Sequence, residues 1–330
     1  MPGWGEILKE IQDSAKLRNG QPDNDGIRRR YLQRLSAKTG RSTILYATAW
    51  TIKQGGGDMS INLMDMEGLM EVCRGLPGPK LDIILHSPGG TAEAAASIVH
   101  YLRQKYNDIR VFVPLAAMSA ATMWAMSANR IVMGKHSQLG PIDPQVSFSQ
   151  GGQIMLVPAR TILDQFEQIK KEIAANPASL GAWAPIIPQY GPGLLQMCET
   201  AHALSKGLVR DWLKTYMFAD HPKPARKAEG VAKFFGDFKQ HKSHGVGIFR
   251  DIAKSKGLVV DDLEADQKLQ DAVLSVFHAT MLTFNLTACI KLIENNIDHG
   301  FYVLAQPVFT QQLMAQPQPP QQAQPQKLTL

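Results

Sequence analysis

The chain has 330 residues, 44% of them hydrophobic and 19% charged, which excludes a wholly disordered or collagen-like polymer. Lys and Arg number 35 against 29 Asp and Glu, and a net charge of +6 over such a length does not by itself mark a nucleic-acid binder. Cys73, Cys198 and Cys289 form no CxxC pair, which argues against a disulfide framework or a thiolate zinc site and suits a reducing, cytoplasmic setting.

Residues 1–40 read as a polar helical extension with a loop at Asn24-Asp25-Gly26. They lack the apolar core, roughly 7–15 residues long, of a secretory signal. Arg28, Arg29, Arg30, Arg34, Lys38 and Arg41 cluster here, and a second basic stretch runs from Lys223 to Lys242. Both read as solvated helix faces. Neither is accompanied by an aromatic platform or zinc-finger spacing, so no nucleic-acid partner is expected.

The segment STILYATAW (42–50) reads as a strand, GGGDMSIN (55–62) as a turn, and 64–74 as a helix. LDIILHS (81–87) is nearly continuous in apolar residues, as a strand covered on both faces must be. Ala95, Ile98, Val99 and Leu102 then share one helical stripe. Strand 109–114, helix 119–128 and strand 130–133 follow, and such alternation implies crossover connections in a mostly parallel sheet. The stretch 111–128 is uncharged over about the length at which a membrane span becomes a candidate. Its Pro114 and many small residues favour a buried strand and helix instead.

Beyond Asp143 a hairpin is expected over 147–157 around Gly151-Gly152, then a helix over 159–175 and a Pro/Gly-rich loop over 176–193. Further helices are expected over 194–216, 226–238, 248–256 and 267–295. Residues 315–326 contain only Ala, Gln and Pro and read as a disordered tail.

Two stretches can carry chemistry. HSPGG (86–90) joins a buried strand to a helix N-terminus, where paired glycines can aim backbone N–H groups at a developing negative charge. A plain strand-to-helix turn accounts for the same glycines. In AAMSAATMWA (116–125), Ser119 opens a helix at the carboxyl end of a strand, where open α/β sheets place their ligands. A helix-capping serine accounts for it equally well. What favours function is the pairing of a donor-bearing junction with a nucleophile-bearing one. The histidines show no ligand spacing, and neither a metal nor another cofactor is expected.

LDIILHSPGGTAEAAASIVHYLR, VPLAAMSAATM and RIVMGKHSQLGPIDPQ, in this order, resemble the serine dehydrogenase proteinase (SDH) family. That family belongs to the ClpP/crotonase superfamily, alongside signal peptide peptidase A and NfeD-type proteases. The resemblance implies an α/β fold of repeated β-β-α units with a helical C-terminal arm, spanning residues 41–300 between the extension 1–40 and a Gln/Pro-rich tail 301–330. It implies a serine peptidase acting on a peptide or protein substrate, with Ser119 as nucleophile and the N–H groups of Gly89 and Gly90 as oxyanion donors, that of Ala120 being a further candidate. It further implies a homo-oligomer, and leaves peripheral membrane association open without a transmembrane span.

The base is where the sequence departs from the pattern. Laying VSFSQGGQIMLVPAR on the NfeD-type motif puts Arg160 where a lysine stands, and a guanidinium cannot act as a base. Three substitutes remain: His244 with Asp143 in an interchanged triad, Lys170 or Lys171 on the following helix, and His136. A non-catalytic scaffold or peptide-binding protein and a crotonase-type acyl-CoA enzyme are the alternative readings.

Overall fold

Strand and helix alternate through the first half of the chain. The structure, a computed structural model, describes residues 3–54, 58–150 and 153–305. In chain order its elements are α1 (Trp4–Leu17), α2 (Asn24–Thr39), β1 (Ser42–Thr48), α3 (Asp65–Val72), β2 (Lys80–His86), α4 (Ala92–Lys105), β3 (Asp108–Val113), β4 (Ala116–Ala117) and α5 (Ala120–Met126). Then come β5 (Arg130–Met133), β6 (Gln138–Leu139), β7 (Gln145–Gln150), β8 (Gln153–Pro158), α6 (Ala159–Ala175), α7 (Leu180–Trp183) and α8 (Leu194–Trp212). The chain continues through α9 (Pro224–Phe235), α10 (Phe238–His241), β9 (Ile248–Phe249), α11 (Arg250–Ser255), β10 (Val260–Asp262), α12 (Gln267–Leu286), β11 (Cys289–Asn295) and β12 (Gly300–Leu304).

Seven strands form a central sheet in the order β10-β5-β3-β2-β1-β11-β12. The run from β10 to β1 is parallel, whereas β11 and β12 join antiparallel. Every residue of β1 is buried, because the sheet is covered on both faces. Ile44 and Tyr46 face a core shared with α3, α4 and α5, while Leu45 and Ala47 face a second core made with α1, α2 and α12. The uncharged 111–128 stretch lies inside this α/β body as β3, β4 and α5. Among the described residues no helix is long and apolar enough to cross a membrane. A small second sheet, β4-β6-β9, stands beside the main one.

Five expectations need correction. Asn24-Asp25-Gly26 is the first turn of α2, since the Asp23 carboxylate caps it by accepting from Gly26 N–H (3.2 Å). The helix expected over 267–295 ends at Leu286, and Cys289–Asn295 is a fully buried strand. An apolar run buried on all sides fits either period, so spacing alone did not separate them. Residues 301–304, expected in the tail, pair with β11 as the sheet's edge. Of the helix expected over 248–256, Ile248 and Phe249 instead form β9, in the separate sheet β4-β6-β9. Gly151-Gly152 and the 315–326 tract lie outside the described residues.

The fifth correction concerns charge. Arg28 is fully buried, not solvated: its Nε donates to Glu294 Oε2 (2.7 Å) and its Nη1 to Thr283 Oγ1 (2.8 Å). Arg29 Nε reaches the other Glu294 oxygen at 2.5 Å, and Tyr302 OH donates to it at 2.9 Å. Burial opposes the Arg28 charge, and Glu294 outweighs it, raising the guanidinium's pKa. Arg41 and Arg110 likewise bracket the buried Asp82, each at 2.7 Å. Removing one member of such a pair strands a buried charge. Glu294→Gln should therefore cost about 3–5 kcal/mol in urea unfolding. Arg34→Gln, on the exposed face of α2, should change stability by less than about 0.5 kcal/mol.

Candidate active site

β2 and β3 are neighbouring parallel strands, so the turns leaving their carboxyl ends meet at one edge of the sheet. The turns are stitched together. Ser87 N–H donates to Ala116 O (3.2 Å), and Met118 N–H donates to Ser87 O (3.0 Å). Gly89 has φ +98°, and a Cβ there would stand 2.5 Å from Met118 O and 2.6 Å from Ser119 Cβ. Only glycine lets the HSPGG turn press against the turn that carries Ser119.

Ser119 has φ +50° and ψ −121°, a conformation that L residues adopt at a cost of about 1–3 kcal/mol. It holds the N-cap position of α5, yet its hydroxyl makes no capping bond. The capping explanation for this serine therefore fails. The hydroxyl has no hydrogen bond among the described residues and borders a cavity of ≈ 470 Å³. The walls include Gly90 and Thr91 from one turn, Met123 from α5, Gln145 from β7, Leu204 from α8, and His244.

His244 Nδ1 lies 2.9 Å from Asp143 Oδ1. Asp143 is only 1% exposed, and its second oxygen accepts from Gln145 Nε2 at 3.0 Å. A carboxylate can only accept, so Nδ1 carries the proton and Nε2 carries the lone pair. That Nε2 has no partner among the described residues. Ser119 and His244, far apart in sequence, thus border one cavity, and the buried Asp143 holds His244 there.

The glycine turn needs one correction. Gly89 N–H donates to Ser87 Oγ (3.1 Å), so it is not free to meet a substrate. The parallel bridge with Ile61 uses Gly89 O (2.7 Å) and Thr91 N–H (3.1 Å), which leaves the intervening Gly90 N–H on the opposite side. Gly90 and Ala120 N–H have no partner among the described residues, and both residues border the cavity.

The other candidates for a base lie elsewhere. Arg160 pairs with Asp164 (2.7 Å), and Lys170 is exposed and pairs with Glu167 (2.8 Å). Lys171 is exposed on α6 and, like these two, does not border the Ser119 cavity. His136 Nε2 is held by Pro114 O at 2.9 Å. Several supporting groups escaped the sequence reading. Thr122 Oγ1 donates to Ala117 O (2.6 Å) and accepts from Gly140 N–H (2.9 Å), tying the nucleophile helix to the loop that leads to Asp143. A hydroxyl three residues after Ser119 was the available signal. Nothing local marks Ser60 and Ile61, which reach the site only through the fold.

His86 ends β2 with Nδ1 3.1 Å from Ala116 O and Nε2 3.3 Å from Thr51 Oγ1. Burial holds its pKa down at about 4, against an ordinary 6.5. Below pH 6.5 the unfolded chain protonates this histidine and the folded chain does not, so stability falls as pH drops from 6.5 toward 4. The loss attributable to this group is about 3 kcal/mol, measurable as a pH-dependent unfolding difference that His86→Gln abolishes. Gly89→Ala should lower stability by about 1–3 kcal/mol in thermal unfolding, because both its φ and its contact with Ser119 resist a Cβ.

Comparison with known proteins follows the same stretch of chain. Residues 59–178 match the family model described as ClpP-like SDH-type serine proteinase. Two uncharacterized proteins of Methanocaldococcus jannaschii are similar. One is 38% identical over 109 residues, 33% of this chain and 35% of the relative. The other is 34% identical over 107 residues, 32% of this chain and 34% of the relative. The match therefore spans about a third of those relatives' length. Two solved structures of variants of the 1510-N membrane-bound stomatin-specific protease, one in complex with a substrate peptide, align at 17% identity and a TM-score of 0.35. They cover 64% and 69% of this chain and 79% and 78% of theirs. The stretch that matches the model of the ClpP-like SDH-type serine proteinases, residues 59–178, is the one that holds the glycine turn, Ser119 and Asp143.

Proposed function

We propose that the chain is a serine peptidase whose nucleophile is Ser119, whose base is His244 and whose orienting acid is Asp143. The observation that carries this reading is the 2.9 Å contact between His244 and the buried Asp143 at the cavity that Ser119 borders. His244 Nε2 takes the Ser119 proton as Oγ attacks a peptide carbonyl, and Asp143 stabilises the imidazolium that forms. Gly90 and Ala120 N–H donate to the developing oxyanion, at the N-terminus of α5. His244 then passes its proton to the leaving amine, and water attacks the acyl-enzyme by the reverse route. In unliganded enzymes such contacts are commonly long and tighten with substrate, so a free Ser119 hydroxyl is compatible with this role.

An extended substrate segment fits between the Gly90–Thr91 wall and the wall formed by Gln145 and Leu156. Cys73, Cys198 and Cys289 are free and buried, which supports a reducing, cytoplasmic setting. Leu180 and Met197, 50% and 51% exposed on the helical arm, support the homo-oligomer expected of this chain.

Fluorophosphonate labelling tests the assignment. Wild type should label, and Ser119→Ala should not. Equal labelling of both sinks the nucleophile, as a scaffold or an acyl-CoA enzyme would require. His244→Gln should slow labelling by about 10²–10⁴-fold. Arg160→Met and Lys170→Met should stay within about twofold of wild type, since neither side chain borders the cavity.

A further inference from the structure

Resting on the peptidase reading, we infer that the buried Lys291–Asp65 pair is a positioning device for both halves of the active site. Lys291 on β11 and Asp65 at the start of α3 are 2% and 1% exposed and meet at 2.7 Å. The pair reaches the glycine turn by one route. Lys291 Nζ donates to Ser60 O (2.7 Å), and Asp65 Oδ2 accepts from Asn62 N–H (3.1 Å). Between these two anchors sits Ile61, whose N–H donates to Gly89 O (2.7 Å) and whose carbonyl accepts from Thr91 N–H (3.1 Å). The backbone of Ile61 lies so close to Gly90 that a Cβ on Gly90 would overlap it.

The second route reaches the nucleophile helix. Tyr46 OH donates to Asp65 Oδ2 (2.7 Å), and the Tyr46 ring packs edge-on against Trp124 of α5 with centroids 5.2 Å apart. Ser119 opens that helix. One carboxylate thus fixes the backbone that orients Gly90 N–H and the ring that backs the helix of Ser119 and Ala120.

Stability alone does not explain charges in this place. A buried ion pair recovers little more than its desolvation cost, and apolar side chains of similar volume are often as stable. What the charges add is direction. Residues 60–62 lie in no helix or strand and make a single bridge to Gly90, so they depend on side chains that bond at fixed angles: Asp58, which accepts from Ser60 N–H and Asn62 Nδ2 (2.8 Å each), and the Lys291–Asp65 pair. Lys291 donates two such bonds, one of them to Ser60 O, and Asp65 accepts from three groups, one of them Asn62 N–H, so the two side chains together hold both flanks of Ile61.

The test uses the full chain carrying Lys291→Met together with Asp65→Asn, which keeps volume and leaves no orphan charge. Two readouts are needed. Amide hydrogen exchange at Ile61 and Thr91 should quicken at least tenfold while Leu85, in the middle of the parallel sheet, is unchanged. Inactivation by a small fluorophosphonate should show its maximal rate reduced at least tenfold with the half-saturating concentration within twofold of wild type. Unchanged exchange at Ile61 and Thr91, or a maximal rate within twofold of wild type, overturns the inference. Faster exchange at Leu85 as well overturns it too, because the pair is then a general brace of the fold. A wild-type chain that never labels at Ser119 overturns the peptidase reading instead, and exchange then decides the positioning role by itself.

Discussion

A sheet of three two-residue strands fixes the geometry on which the candidate site depends. Ala116 pairs with Gln138, which pairs with Phe249; Ala117 pairs with Leu139, which pairs with Ile248. Ser119 follows the first strand, Asp143 follows the second, and His244 precedes the third. A shift of one residue in either pairing would turn its side chains to the other face and separate the three groups. So short a ladder contributes only a few net hydrogen bonds of about 1 kcal/mol each. Its register is therefore guarded by what surrounds it, notably Thr122 bridging Ala117 and Gly140, and Ile142 N–H bonding Phe235 O at 2.9 Å.

Charge is handled in the same directional way. Each buried carboxylate near the sheet is met by a cation from a different part of the chain: Glu294 by Arg28 and Arg29, Asp82 by Arg41 and Arg110, Asp65 by Lys291. Such pairs add little net stability, but a wrong packing that strands one of them is costly. They tie α2, β1, β3 and β11 to the strands they must neighbour. The strained Ser119 backbone is then imposed by elements that are already over-determined.

Much of the parallel sheet was legible, because LDIILH and RIVM are buried on both faces and leave no polar alternation to confuse them. Ser119 and the glycine turn stood out as candidates for a different reason: a nucleophile and a donor turn need particular residue types at particular junctions. The basic cluster was misread, since composition cannot tell a guanidinium facing water from one facing Glu294. The end of α12 was misread because an apolar run buried on all sides suits helix and strand alike. Gly89 was named as a donor although its N–H is satisfied by Ser87, a side chain two residues away whose direction no spacing rule gives. The base stayed open among several residues for the plainest reason. His244 meets Asp143 only through β6 and β9, a pairing between distant segments that leaves no local trace.

The separation of Ser119 from His244 along the chain bears on how the protein is made. Chains emerge N-terminus first and fold as they appear. The strands from β1 to β5 and the turn bearing Ser119 leave the ribosome well before the segment that carries His244. A growing chain therefore carries Ser119 without His244 until β9 docks on β6. Under the proposed peptidase mechanism, that order delays chemistry until synthesis has passed the helical arm, and so shields the unfolded remainder of the chain.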